Sequence, residues 1–536
     1  MNDRPSRSKE PRTSTTFVIE PRSRMPALTE RAAAEPPARD EIDAHRVAVI
    51  VCHGMGQQVP FETVEDLARA IRRGMNHPDA TILCEATRLE QRSQDGRRAE
   101  PVEVRRAQLD VSTPQGGLRR TDLYEAYWAP LTEGKVTLWE VCEFLLGAAW
   151  RGIAQRLTSG TFDRWMFARW VEFPVPIRTL FKLVAVFALL LALAVLNAAL
   201  FATLGARLVG HAEGWPGPEL FRALSSDLAF ACIALIVVAA GVGVIPHALR
   251  FLGQAAASFA AWFVIYAGLA ALGLAGIACA WHVLAGQLGQ PIAGAALAPA
   301  IFGLQGPWYR IAIGVIWGLP ALAALIVRWF LIEYVGDVVA YVSSYSVSRF
   351  AEIRAAIQEV AASVGAAVFG AVGPDGTTPI YSSVVLVGHS LGSVIAYDML
   401  NHLILEDGLN DGRLKVLERT AAFVTFGSPL NKTAYIFRTQ RGKQSELRET
   451  MSAAIQPLIS SYANRTMPWV NLHSRNDWIG GPLQYYDTVP PDPADPARGV
   501  RNCEDREART PLMAHVELWN GRALADVLIR AIGRLG

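Results

Sequence analysis

Long runs without charge in the middle of the chain limit its fold more than any other feature. Residues 183–205, 228–249, 251–309 and 311–327 contain no Lys, Arg, Asp or Glu. A helix that crosses a hydrocarbon core needs about 20 apolar residues. The runs therefore predict membrane spans near 181–205, 228–248, 256–281 and 311–332. Helices buried in a large soluble core do not suit several uninterrupted runs in one chain. Residues 285–307 are rich in Gly, Ala and Pro and fit either a loop or a re-entrant segment.

The flanks read differently. Residues 1–44 are rich in Arg, Glu, Pro, Ser and Ala and lack the apolar core of a secretory signal, so a disordered tail facing the cytoplasm is expected. His45-Arg-Val-Ala-Val-Ile-Val-Cys52 is a short apolar, β-branched run ending in His53-Gly54-Met55-Gly56, which predicts a buried parallel strand and a tight turn. Thr63 to Met75 has helical spacing. Segments 80–90 and 102–111 alternate around Ser93-Gln-Asp-Gly96, predicting a hairpin, and 122–128 a further strand. Beyond the apolar block, 347–367 and 393–405 read as helices, and 382–388, 420–426 and 468–473 as strands. Strands alternating with helices predict an α/β fold with a mostly parallel sheet, helices on both faces, and about four inserted transmembrane helices. The expected divisions are 45–135 and 346–536 for the two parts of the sheet domain, with 136–345 as linker helices and insertion. At 536 residues the chain is too long for one compact core.

Net charge is +2, which gives no reason to expect nucleic acid as a partner. The six cysteines are scattered, with no CxxC pair and no His at zinc spacing. Neither a disulfide framework, a metal site nor an organic cofactor is implied.

The sharpest motif is Gly388-His389-Ser390-Leu391-Gly392. A serine between two glycines fits a very tight strand-to-helix turn that pushes its Oγ out of the sheet. The bare pattern is weakly specific, but here an apolar strand precedes it and a helix-forming run follows. The glycines of His53-Gly54-Met55-Gly56 let backbone amides turn toward that serine, with the N–H groups of Met55 and Leu391 as donors to a negative oxygen. The His53 ring either joins the chemistry or fixes the turn by hydrogen bonding.

These residues resemble the α/β-hydrolase family in its lipase and esterase branch. The matching pieces are V-A-V-I-V-C-H-G-M-G, L-V-G-H-S-L-G, V-T-F-G-S-P-L, N-L-H-S-R-N-D and H-V-E-L-W. The resemblance implies a catalytic serine, acid and histidine in that order along the chain. Ser390 is then the nucleophile. Asp477, just beyond a strand end, fits the acid, with Asp487, Asp492 and Asp398 as rivals; Asp398 reads as a capping or surface residue. His515 fits the base and opens the last helix, with His473 as its competitor. Ser393 and Ser428 read as turn or helix-start residues near the site. The implied activity is cleavage of a hydrophobic acyl ester, such as a lipid's, through an acyl-serine. The apolar insertion departs from the family's compact enzymes and leaves the substrate class open.

Two arguments bear on topology. Strands before and after the insertion must share one sheet, so the number of spans must be even. Arg151, Arg156, Arg164, Arg169, Arg178 and Lys182 precede the first span, and Arg328 and Arg349 lie at or beyond the last. Only Arg310 lies between spans three and four, although Arg207 and Arg222 lie between spans one and two. The balance predicts an integral membrane protein with its hydrolase part in the cytoplasm. Read alone, the large insertion also fits a membrane scaffold or transporter with an inactive hydrolase-like domain.

Overall fold

The computed structural model describes residues 16–19, 46–56, 58–75, 82–89, 102–114, 117–157, 218–249, 251, 253–285, 291–342, 348–373, 375, 377–433, 467–483, 486 and 499–534. Nine strands form one sheet: β1 (Thr16–Ile19), β2 (Val47–Cys52), β3 (Ile82–Leu89), β4 (Val102–Ser112), β5 (Leu118–Ala126), β6 (Ser383–His389), β7 (Thr420–Phe426), β8 (Trp469–His473) and β9 (Val500–Glu504). Their order is β1-β3-β4-β5-β2-β6-β7-β8-β9. Pairing is parallel from β5 through β9 and antiparallel among β1, β3, β4 and β5. This is the mostly parallel α/β sheet that the sequence predicts.

The β2 run is buried on both sides, as a central parallel strand must be. Ala48, Ile50 and Cys52 face one core with the helices α6 (Gly336–Val342), α7 (Ser348–Gly370) and α8 (Leu391–Leu409). Val47, Val49 and Val51 face the other, with α1 (Glu62–Gly74) and α9 (Arg522–Ile532). Strand alternation thus feeds helices on both faces. The two cores are joined by pairing across the insertion: Val47 to Cys52 of β2 lie beside Ser383 to Gly388 of β6.

Three details of the sequence reading change. Thr16–Ile19 falls in the segment expected to be a disordered tail, yet pairs with β3 as the edge strand. Strand β9, too polar to stand out, pairs with β8. His515 does not open the last helix. It sits on a separate short turn, Ala514–Glu517, and α9 begins only after Gly521.

Between the halves run α2 (Leu138–Leu157), α3 (Pro218–Gly243), α4 (Gln254–Ala285) and α5 (Gly306–Phe330), the last continuing through a π turn, Leu331–Val335, into α6. Among the described residues, four helices are long and apolar enough to cross a membrane: Glu219–Gly243, Ala256–Val283, Gly306–Val342 and Arg349–Gly370. The fourth is α7, whose Phe350, Ile357, Ala361 and Val368 pack in the sheet's core; its apolar face is already covered by protein. The other three match the expected spans near 228–248, 256–281 and 311–332. The span expected near 181–205 lies outside the described residues. Phe259, Phe263, Ile277, Leu322, Leu325 and Ile326 point outward from α4 and α5, an apolar exterior that suits lipid better than water.

An ionisable pair lies within this apolar block. Asp227 of α3 accepts from the His282 ring of α4 at 2.9 Å and from the Gly294 and Ile292 amides at 2.7 and 3.2 Å. The helix begins earlier than its charge-free run implies and carries Asp227 inside it. Both side chains are fully buried. Residues 291–302 are held there as loop and short helical turns rather than as a further span.

Candidate active site

Ser390 stands between β6 and α8 with φ 53° and ψ −128°, a backbone conformation that a residue with a side chain adopts only when its surroundings impose it. The surroundings are close. A Cβ on Gly388 would lie 2.4 Å from Ser393 Cα, and one on Gly392 would lie 2.1 and 2.3 Å from the Cys52 and His53 carbonyl oxygens. Glycine is therefore the residue that lets β6, α8 and the end of β2 meet. The Ser390 amide donates to the Phe426 carbonyl at 3.1 Å. Ser393 Oγ donates to the Ser390 carbonyl at 2.6 Å and, at 2.6 Å, accepts from Ser428 Oγ. The two serines read as turn residues thus brace the turn from below.

Asp477 follows β8, where the chain turns back on itself. Its Oδ1 accepts from the Ile479 and Gly480 amides at 2.7 and 3.0 Å, and its Oδ2 accepts from His515 Nδ1 at 2.9 Å. Burial alone would raise its pKa, but the His515 bond and charge, with the two amides, outweigh that and hold it at about 2. A carboxylate on Nδ1 places that ring proton there and leaves Nε2 with its lone pair. His515 Nε2 and Ser390 Oγ are both buried, and neither has a hydrogen-bond partner. Both groups border the end of β7: Ser390 through the Phe426 carbonyl, His515 through its ring against Gly427. The φ of +58° at Gly427, and the 2.9 Å that a Cβ there would leave to the ring, make room for the imidazole.

The turn after β2 closes on the same point. A Cβ on Gly54 would lie 3.0 Å from Ser390 Cβ. His53 lies beneath the turn: its Nδ1 bonds the Gly54 carbonyl at 2.9 Å, its Nε2 accepts from the Trp128 amide at 3.2 Å, and its ring stacks on Trp128 at 4.5 Å. Burial lowers its pKa to about 4, so the ring is neutral. Of its two readings, fixing the turn is the one this geometry fits. Met55 follows Gly54 in the turn, and Leu391 is the first residue of α8, where helix amides have no intrahelical acceptor. His389 packs inward, its ring 4.8 Å from that of His515 and its Nε2 3.3 Å from the His515 carbonyl.

The rivals among the described residues are elsewhere. His473 lies in β8 beside Glu504 of β9. Asp398 accepts from Tyr341, Arg354 and Gln358 at 2.7, 2.9 and 2.9 Å, so it joins α6, α7 and α8 rather than capping or facing solvent. Asp487 and Asp492 lie outside the described residues.

Two sets of contacts escape any sequence spacing. Asn476, beside the acid, donates to Ser258 Oγ of α4 at 3.0 Å and to the Arg509 carbonyl at 2.6 Å, and it accepts from Trp262 Nε1 at 3.2 Å. Asp337 of α6 accepts the Gly56 amide at 2.7 Å. Ser258 and Trp262 lie 218 and 214 residues from Asn476, and Gly56 lies 281 from Asp337. Asp337 sits in no motif, and N-L-H-S-R-N-D, which contains Asn476, gives no sign of these contacts. Among the described residues no His, Cys, Asp and Glu cluster could hold a metal ion. Comparison of the chain with protein-family models, with curated proteins and with solved structures found no match.

Proposed function

We propose that the chain is a membrane-embedded serine hydrolase that cleaves hydrophobic acyl esters, such as those of lipids. One observation carries the reading: Ser390 is held in a strained strand-to-helix turn where the buried Asp477–His515 pair also arrives, with an unpartnered Nε2. In the proposed mechanism His515 Nε2 takes the Ser390 proton as Oγ attacks the ester carbonyl, and Asp477 stabilises the resulting imidazolium. The Met55 and Leu391 amides stabilise the tetrahedral oxyanion. His515 then protonates the departing alcohol, leaving an acyl-serine. Water, deprotonated by the same ring, releases the acid. No step asks for a metal or an organic cofactor.

The membrane part of the proposal rests on the three exposed apolar helices and on parity. Three crossings alone would leave β2 and β6 on opposite sides, yet they are neighbours in one sheet. One further crossing is required, and the charge-free run 183–205 is its candidate. The basic residues that flank the insertion support a cytoplasmic sheet domain. A transport role would lean on Asp227 and His282, but the Asp227 carboxylate is occupied by two loop amides and the His282 ring, which is a structural latch.

A fluorophosphonate probe tests the reading, because it reacts with an activated serine and not with an ordinary one. The wild-type protein in detergent or nanodiscs should be labelled and should hydrolyse p-nitrophenyl acyl esters; Ser390→Ala should do neither. Equal labelling of both proteins would rule the mechanism out.

A further inference from the structure

We propose that Asp337, at the end of the helix that leaves the apolar insertion, is a positioning residue for the oxyanion turn. The proposal rests on the hydrolase reading and adds a residue that lies far from any motif.

The argument begins at Gly56. Its φ of +98° lies where residues with side chains rarely go. Its N–H, buried, is given to Asp337 Oδ2 at 2.7 Å. That amide belongs to the peptide plane joining Met55 to Gly56. Fixing the plane fixes ψ of Met55, and with it the lie of the short turn from Gly54 that carries the Met55 N–H. A charged acceptor bonds an amide about twice as strongly as a neutral one, so this bond is a firm anchor. Thr132, whose Oγ1 donates to the Ala129 carbonyl at 3.1 Å, lines the same small cavity as Gly56 and Asp337.

A second contact comes from the same helix. The Tyr334 ring lies against Gly56 so closely that a Cβ there would be 2.7 Å from it. Tyr334 also stacks on Phe330 at 5.1 Å and meets Trp329 edge-on at 5.6 Å. Between α5 and α6 the helix takes a π turn at Leu331–Val335. The extra residue of such a turn changes which face the following residues present. Here both Tyr334 and Asp337 meet the turn. A carboxylate buried at this place is costly unless it is used, and its partner is the turn beside the nucleophile.

Three variants of the full chain in nanodiscs test this, with p-nitrophenyl butyrate turnover and fluorophosphonate labelling as readouts. Asp337→Ala removes the acceptor. Its kcat should fall about 100-fold, the scale of a misplaced catalytic group, while KM stays within about threefold. Asp337→Asn keeps an oxygen for the Gly56 amide and should restore kcat to within about tenfold of wild type. Asp337→Glu keeps the charge but moves the acceptor by one methylene. It should lose kcat about tenfold without a change in KM, and it keeps the question decidable should the alanine variant not fold. A merely structural role would show instead as lowered thermal stability, with full kcat in the protein that folds. Wild-type kcat in folded Asp337→Ala or in Asp337→Glu, or a loss confined to KM, would overturn the proposal while leaving the hydrolase reading intact. An unlabelled, inactive wild type would overturn that reading first, and this proposal with it.

Discussion

His515 shows how the proposed chemistry can be separated from architecture. If it is the base, His515→Ala should lower kcat by about 10⁴-fold or more, and Asp477→Asn should also be severe because an amide favours the wrong ring tautomer. In a Ser390→Ala background neither should cost much more, since three groups that act together do not contribute additively. His473→Ala should be mild, as that ring belongs to the β8–β9 edge. An active His515→Ala enzyme beside an inactive His473→Ala one would reverse the assignment. His389 offers a test of stability instead. Burial, then the neighbouring His515, lowers its pKa from 6.5 to about 3, and burial lowers that of His53 to about 4. The unfolded chain therefore binds protons below pH 6.5 that the folded one refuses, and stability falls as pH drops from 6.5 toward these values. Phenylalanine cannot charge, so the loss of thermal midpoint between pH 7.5 and 5 should be smaller in His389→Phe than in wild type; parallel losses would refute this. At this scale the sequence carried a good deal. Ser390, Asp477, His515 and the two glycine turns were legible because each sits in a motif or at a strand end. Asp337 and Asn476 were not, because their meaning lies in partners that only tertiary structure supplies.

The same methyl group should have opposite effects at two places on α8. At Gly392 it would press on the carbonyls that end β2, and backbone cannot step aside as a flexible side chain can. Gly392→Ala should therefore cost several kcal/mol or prevent folding, beyond the roughly 1–3 kcal/mol of ordinary overpacking. At Gly408, where nothing lies within 4 Å, alanine should be neutral or stabilising by up to about 1 kcal/mol. Thermal unfolding of the two variants side by side decides it: equal behaviour would mean the close approach of β2 and α8 is not a constraint. Elements were legible where periodicity was strong. β2, β6 and β7 are continuous apolar runs, and the β3–β4 hairpin alternates clearly. Edge strands β1 and β9 were missed because an edge needs only one neighbour and can be short and polar. The separate turn carrying His515 was merged with α9 because both have helical spacing, and the Gly521 break between them is a single residue.

Over the whole molecule, aromatic residues mark two levels. Trp308 and Trp329 of α5 are separated by about 31 Å of helix, and Trp262 and Trp281 of α4 by about 28 Å, at a rise of about 1.5 Å per residue. Both match a hydrocarbon core of about 30 Å, with tryptophans at its borders. Trp262 is also the residue that bonds Asn476 beside the acid, so the proposed site borders the bilayer surface on the sheet's side. Single cysteines at Arg69 and at Arg522, on an otherwise cysteine-free background, should both be reached by an impermeant reagent from that one side. Labelling from opposite faces is incompatible with the β2–β6 pairing and would sink the topology. The apolar block and the need for an even number of crossings were legible in composition and charge; the contacts of α4 with Asn476, and of Tyr334 and Asp337 with the Gly56 turn, were not, since they depend on how helix ends meet loops. The pairing of β2 with β6 has a further consequence, in time. Roughly 330 residues separate the two strands, about half a minute of synthesis at ~10 residues per second. Through that interval β2 has no β6 to lie against, and the helices between must enter the bilayer and return to the starting side. A chain that threads them wrongly cannot close its sheet, so it cannot bring His53-Gly54 against Ser390. Hydrolysis, where it is found, would certify correct insertion: under the proposed function a mis-threaded copy would be inert from birth, and no activity would arise on the wrong face.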